Sequence, residues 1–127
     1  MQTLPGVGAT NTMTLPRPVD LDHLSRYTGG DAAVNAEILT LFANQSTDLL
    51  QQLDAALTQS DSKMWRDINH SLKGGARGIG AFQLADMAAE AESKDPARDA
   101  AVAARALHDL KSRTLAVTLF IEAYLGR

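Results

Sequence analysis

The sequence contains no cysteine. Disulfides, thiolate nucleophiles and cysteine-ligated zinc or iron–sulfur centres are thereby excluded. Aromatic residues make up only 5% of the chain, and the apolar residues are mostly alanine and leucine, with few valines and isoleucines. That composition favours helix over sheet. There is no excess of positive charge: 12 Lys and Arg stand against 15 Asp and Glu, a formal net charge of −3. Nucleic acid and anionic membrane are accordingly not expected as partners, since neither would be drawn by such a field. No apolar run approaches the roughly 18 to 20 residues needed to cross a bilayer, and no basic start followed by an apolar stretch opens the chain. A soluble, cytoplasmic protein is expected.

The 127 residues, 45% hydrophobic and 21% charged, suit one globular domain with a single core. Residues 1–18 hold three of the four prolines, two glycines and several threonines without apolar periodicity, which marks them as a disordered lead-in; Met13 offers an alternative start within it. The domain proper is expected over residues 19–127.

Within it, Asp20 is placed to cap a short helix over Leu21–Tyr27 that Thr28-Gly29-Gly30 ends. Asp31 caps a long helix to about Gln59, with Val34, Ile38, Leu41, Phe42, Leu49, Leu53, Ala56 and Leu57 at the spacing of one buried stripe. After Ser60-Asp61-Ser62 a further helix runs from Lys63 to about Arg77, and Gly78-Ile79-Gly80 is expected to break it. A helix from Ala81 to about Ser93 follows, with Phe82, Leu84, Ala85, Met87, Ala88 and Ala91 facing inward, so that the two form a hairpin. Asp95-Pro96 has the form of a helix start, aspartate as cap and proline at the first helical position. The last helix is expected from about Ala97 to Tyr124, with Ala103, Ala106, Leu107, Leu110, Leu115, Val117, Phe120, Ile121 and Tyr124 available to the core. The fold class is all-α: an antiparallel four-helix bundle with a short additional N-terminal helix.

The stretch from Trp65 to Ala81 is the unusual one. It carries a histidine, a lysine and four glycines in a helical pattern, although each glycine in a helix interior costs roughly 1 kcal/mol relative to alanine. At about 100° per residue, Trp65, Ile68, Leu72, Ala76 and Ile79 share one side, and His70, Lys73, Gly74 and Arg77 share the other. The histidine therefore points to solvent, with cations and a position lacking a side chain beside it. Taken singly, a histidine on a polar helix face is more often solvated than reactive, and Lys73 and Arg77 are ordinary surface charge. Glycines alone can mark a hinge, a helix end or close helix packing. Their conjunction describes a surface that receives an anion while another protein comes close.

His70-Ser71-Leu72-Lys73-Gly74, with Gly80 ten residues after the histidine, resembles the H-x-L-K-G motif of histidine-containing phosphotransfer (HPt) domains. The resemblance extends over about Asp20 to Tyr124 and includes Gly30-Asp31, Phe42, Asp61, Gly80-Ala81 and Glu92. Gly75 and Gly78 depart from the usual pattern, as does Ala91 where the family often has leucine. The resemblance implies that His70 accepts a phosphoryl group from a receiver-domain aspartate and passes it to another response-regulator receiver. It further implies that Lys73 stabilises the added charge, that Gly74 permits close docking, and that Glu92 hydrogen-bonds the ring nitrogen that is not phosphorylated. Arg77 is expected either to assist the phosphate or to bind the receiver. Partners would be receiver domains and a hybrid histidine kinase; no cofactor would be bound by this chain, the Mg²⁺ coming from the receiver's acidic cluster.

No G-x-x-x-x-G-K-[ST] loop is present, so an autonomous ATP-dependent kinase is not expected; the resemblance implies a relay rather than an enzyme. Two other readings remain open on the residues alone. One is a non-phosphorylated helical adaptor binding a receiver or a kinase. The other is a metal site using His70, Asp67 and acids of the neighbouring helix, for which the facing Glu-x-x-His pairs of di-metal bundles are lacking. His23 and His108 carry no assigned role, and with no exposed heptad seam a monomer is expected.

Overall fold

The computed structural model describes residues 17–127. The lead-in expected over residues 1–18 lies, apart from its last two residues, outside the described residues. Five helices follow: α1 (Leu21–Thr28), α2 (Ala32–Thr58), α3 (Ser62–Ile79), α4 (Phe82–Glu92) and α5 (Ala100–Leu125), with no strand among the described residues. The last four form a ring in which each packs against its two neighbours, and α1 lies across α2 and α3. This is the all-α bundle that the apolar spacing implied.

Aspartates start four of the helices. The carboxylates of Asp20, Asp31, Asp61 and Asp99 accept from the backbone amides of His23, of Ala33 and Val34, of Met64 and of Val102 respectively. Such caps satisfy amides that no helical carbonyl reaches. Asp20 and Asp31 are the expected caps, Asp61 lies in the turn expected to start α3, and at the last helix Asp99 stands in place of the expected Asp95, a correction. Asp95-Pro96 opens a single turn rather than α5, because the Asp95 carboxylate accepts from both the Ala97 amide and the Ser62 hydroxyl. The last helix therefore begins at Ala100, not at Ala97.

Trp65 is the largest fully buried side chain of the core. Its indole Nε1 donates to the Ala91 carbonyl at 2.7 Å, tying α3 to the end of α4. Leu39, Leu53, Leu72, Leu84, Leu110, Val117 and Ile121 belong to the same buried core. Several residues expected inside lie at the surface: Leu41 is 67% exposed and Leu115 58%, while Val34, Phe82 and Tyr124 are also exposed. A helix packed against two or three neighbours has a fixed buried arc, and these residues fall on its edge or beyond it. Helix α3 also runs through Gly78 to Ile79. Gly80 alone ends it, with φ at 88° in the left-handed region that glycine enters freely.

Candidate functional site

The apolar phase of α3 decides what its other face presents. Trp65, Leu72, Ala76 and Ile79 are buried and Ile68 is half-buried, which turns His70 outward with its side chain 73% exposed. Asn69, for which the sequence reading had no place, is fully buried and donates from Nδ2 to the Trp65 carbonyl at 3.1 Å. Lys73 is one turn further on and is only 23% exposed, its stem lying along the bundle. Gly74 and Arg77 continue the outward face, both without being covered.

Glu92, the last residue of α4, reaches the same place from the neighbouring helix. Its Oε1 lies 2.8 Å from Lys73 Nζ and 4.0 Å from His70 Nδ1. The first contact is a close ion pair. The second is longer than a hydrogen bond, so the bond from the imidazole to Glu92 that the sequence led us to expect is not formed in this structure. Nδ1 is nevertheless the ring nitrogen turned towards the carboxylate, which leaves Nε2 on the far side of an exposed ring. His70, Lys73 and Glu92 thus come together, while Arg77 has no ion-pair partner among the described residues.

Asp67, one turn before His70, is committed elsewhere. It accepts from Lys63 Nζ at 2.6 Å, and that hydrogen bond holds its carboxyl below the usual carboxylate range. No group of three or more His, Asp or Glu side chains among the described residues is arranged to hold a metal ion.

The glycines divide by what surrounds them. A Cβ placed on Gly74 or Gly78 would meet nothing within 4 Å, whereas one on Gly75 would stand 3.4 Å from the Phe42 ring. Gly75 therefore has a packing reason: α2 lays an aromatic edge against its backbone. Gly78 and Gly75 floor a shallow, almost wholly apolar groove of about 270 Å³ between α1, α2 and α3, walled by Tyr27, Ile38, Leu41, Phe42 and Ile79. Tyr27 is 75% exposed at its rim. From the sequence, exposed apolar residues of the first helix and of the turn into the motif helix were the candidates for a receiver-docking patch, with none singled out.

Comparison with known proteins adds two findings. The family model described as Hpt domain matches residues 37–117. Among solved structures, histidine-containing phosphotransfer protein B from Pseudomonas aeruginosa PAO1 superposes with a TM-score of 0.73 at 25% identity, over 84% of this chain and 92% of that one. No curated protein matches the sequence significantly.

Proposed function

The chain belongs to the Hpt domain family, and on that premise we propose that His70 is the phosphoryl carrier, loaded from a receiver-domain aspartate and discharged to the receiver of another response regulator. A phosphotransfer role in a phosphorelay, with receiver domains and histidine kinases as partner classes, comes with the family. The observation that supports the specific residue is the exposure of His70, with one ring nitrogen facing Glu92 and a lysine ammonium within the same contact set.

The chemistry follows from that arrangement. Neutral imidazole is a nucleophile near pH 7, and Nε2 is the nitrogen with open approach. Its lone pair forms the N–P bond as the bond from phosphorus to the receiver's carboxylate oxygen breaks, the electron pair leaving on the carboxylate. Lys73 meets the added negative charge. Return transfer is the reverse, with imidazole as leaving group. The Mg²⁺ that assists phosphoryl transfer would belong to the receiver, because the acids nearest His70 are already paired, Asp67 with Lys63 and Glu92 with Lys73. The groove floored by Gly75 and Gly78 supports receiver docking on the α1 and α2 side of His70. No helix of the described residues is long and apolar enough to cross a membrane; a cytoplasmic location is part of the proposed relay reading.

The test is transfer from a labelled phospho-receiver. Acid-labile, base-stable label on the wild-type chain and none on His70→Gln is the expected outcome. Label retained in His70→Gln would refute the site, and receiver binding with no label on either protein would leave a helical adaptor as the function.

A further inference from the structure

One acceptor beside His70 has no hydrogen bond. Glu92 Oε1 is closed off from solvent, and its 2.8 Å contact with the Lys73 ammonium is an ion pair without hydrogen-bond geometry. His70 Nδ1 stands 4.0 Å from the same oxygen, roughly 1 Å beyond bonding distance. Buried carboxylate oxygens are rarely left in this condition. The ammonium and the ring therefore compete for one oxygen, and the ammonium holds it.

Phosphorylation changes the balance. A phosphoryl group brings between one and two negative charges at neutral pH and three acceptor oxygens. On Nε2 it would lie on the exposed side of the ring, within reach of a lysine stem rooted one turn away. Such a group attracts the ammonium more strongly than a single carboxylate does.

Building on the reading of His70 as the carrier, we propose that Lys73 exchanges partners when His70 is phosphorylated. Its ammonium leaves Glu92 Oε1 for the phosphoryl oxygens, and the vacated oxygen accepts a hydrogen bond from His70 Nδ1–H. Glu92 is a positioning residue with two successive tasks. At rest it holds Lys73 beside the ring and neutralises it. After phosphorylation it stabilises the Nδ1-protonated phosphoimidazole, from which the N–P bond breaks most readily because neutral imidazole departs.

The experiment loads the full chain with phosphoramidate, so that no receiver is involved. The Nε2 lone pair forms the N–P bond, the P–N bond of phosphoramidate breaks with its electron pair leaving on ammonia, and Nδ1–H stays on the ring. Nitrogen NMR then follows Lys73 Nζ and His70 Nδ1–H in wild type, Glu92→Gln and Glu92→Ala, and the phosphohistidine half-life is measured in each. Glu92→Gln is nearly isosteric and keeps the fold while removing the charge.

On loading, the wild-type Lys73 Nζ resonance is expected to shift, and an Nδ1–H signal protected from exchange to appear. Glu92→Ala lacks that signal and lengthens the half-life roughly threefold to tenfold, with Glu92→Gln between. An unmoved Lys73 resonance after loading, or a half-life unchanged in Glu92→Ala, overturns the exchange. Loading by phosphoramidate without any transfer from a phospho-receiver would instead overturn the relay reading and leave the exchange standing.

Discussion

The backbone of Asp20 crosses directly over Gly80: the Asp20 amide donates to the Gly80 carbonyl at 2.9 Å, and a Cβ on Gly80 would stand 2.5 Å from the Asp20 carbonyl oxygen. Two constraints meet at that glycine, a left-handed φ of 88° and an approach that no side chain tolerates. Gly80→Ala is expected to cost at least about 2 kcal/mol, more than the 1–2 kcal/mol or so of the left-handed backbone alone. Gly29→Ala is the internal control, because its φ is 70° but nothing lies within 4 Å. Urea unfolding of the two variants should separate clash from strain, and equal losses would show that Asp20 yields without cost.

Gly74 and Gly78 predict the opposite sign. Alanine at either fits the open surface and should raise stability by roughly 0.5–1 kcal/mol through helix propensity. If these positions are kept bare for a docking partner, the same variants transfer phosphoryl more slowly from a receiver. Stabilised proteins with undiminished transfer rates would remove the docking explanation.

Leu41 tests the groove from its rim. Its side chain is largely exposed, so Leu41→Asp should leave stability within about 0.5 kcal/mol of wild type. Receiver affinity is expected to fall several-fold while loading by phosphoramidate stays unchanged. Titration calorimetry against a receiver reads the first effect and acid-labile label the second.

Asp95 gives the bundle an acid-sensitive joint. The Ser62 hydroxyl, and after it the Ala97 amide, hold its carboxyl below the usual carboxylate range. A group whose pKa is depressed by folding stabilises the fold above its unfolded value, near pH 4, and that contribution is lost as pH falls through the folded value. Ser62→Ala should therefore lower the urea midpoint at neutral pH, and its deficit should shrink as the pH is taken down from the ordinary carboxylate value near 4 through the lower folded one. A deficit independent of pH would mean that the hydroxyl acts through packing alone.

The same joint shows where local reading ends. Asp20 and Asp31 were legible as caps because each precedes a clear apolar phase, and the phase of Trp65, Leu72, Ala76 and Ile79 sufficed to turn His70 outward. Asp95 and Asp99 look alike from the sequence. What separates them is Ser62, 33 residues away in the chain, whose hydroxyl recruits the first aspartate and leaves the second to cap α5. Glu92 was placed beside His70 by motif, but its closer attachment to Lys73 depends on where two helices bring their ends. Leu41 was read as part of a stripe because spacing alone cannot say how wide the buried arc is. Gly75 had no sequence rationale at all, and Phe42, lying against its backbone, supplies one.

The Asp20–Gly80 crossing also fixes where the chain enters the bundle. His70 lies ten residues up α3 from Gly80, about 15 Å along the axis. The start of the described chain is therefore anchored at the hairpin end of that helix, just under three turns from the reactive ring. The crossing and the groove floored by Gly75 and Gly78 share that end of α3, so the point at which the described chain enters also sets one border of the surface on which a receiver is proposed to dock.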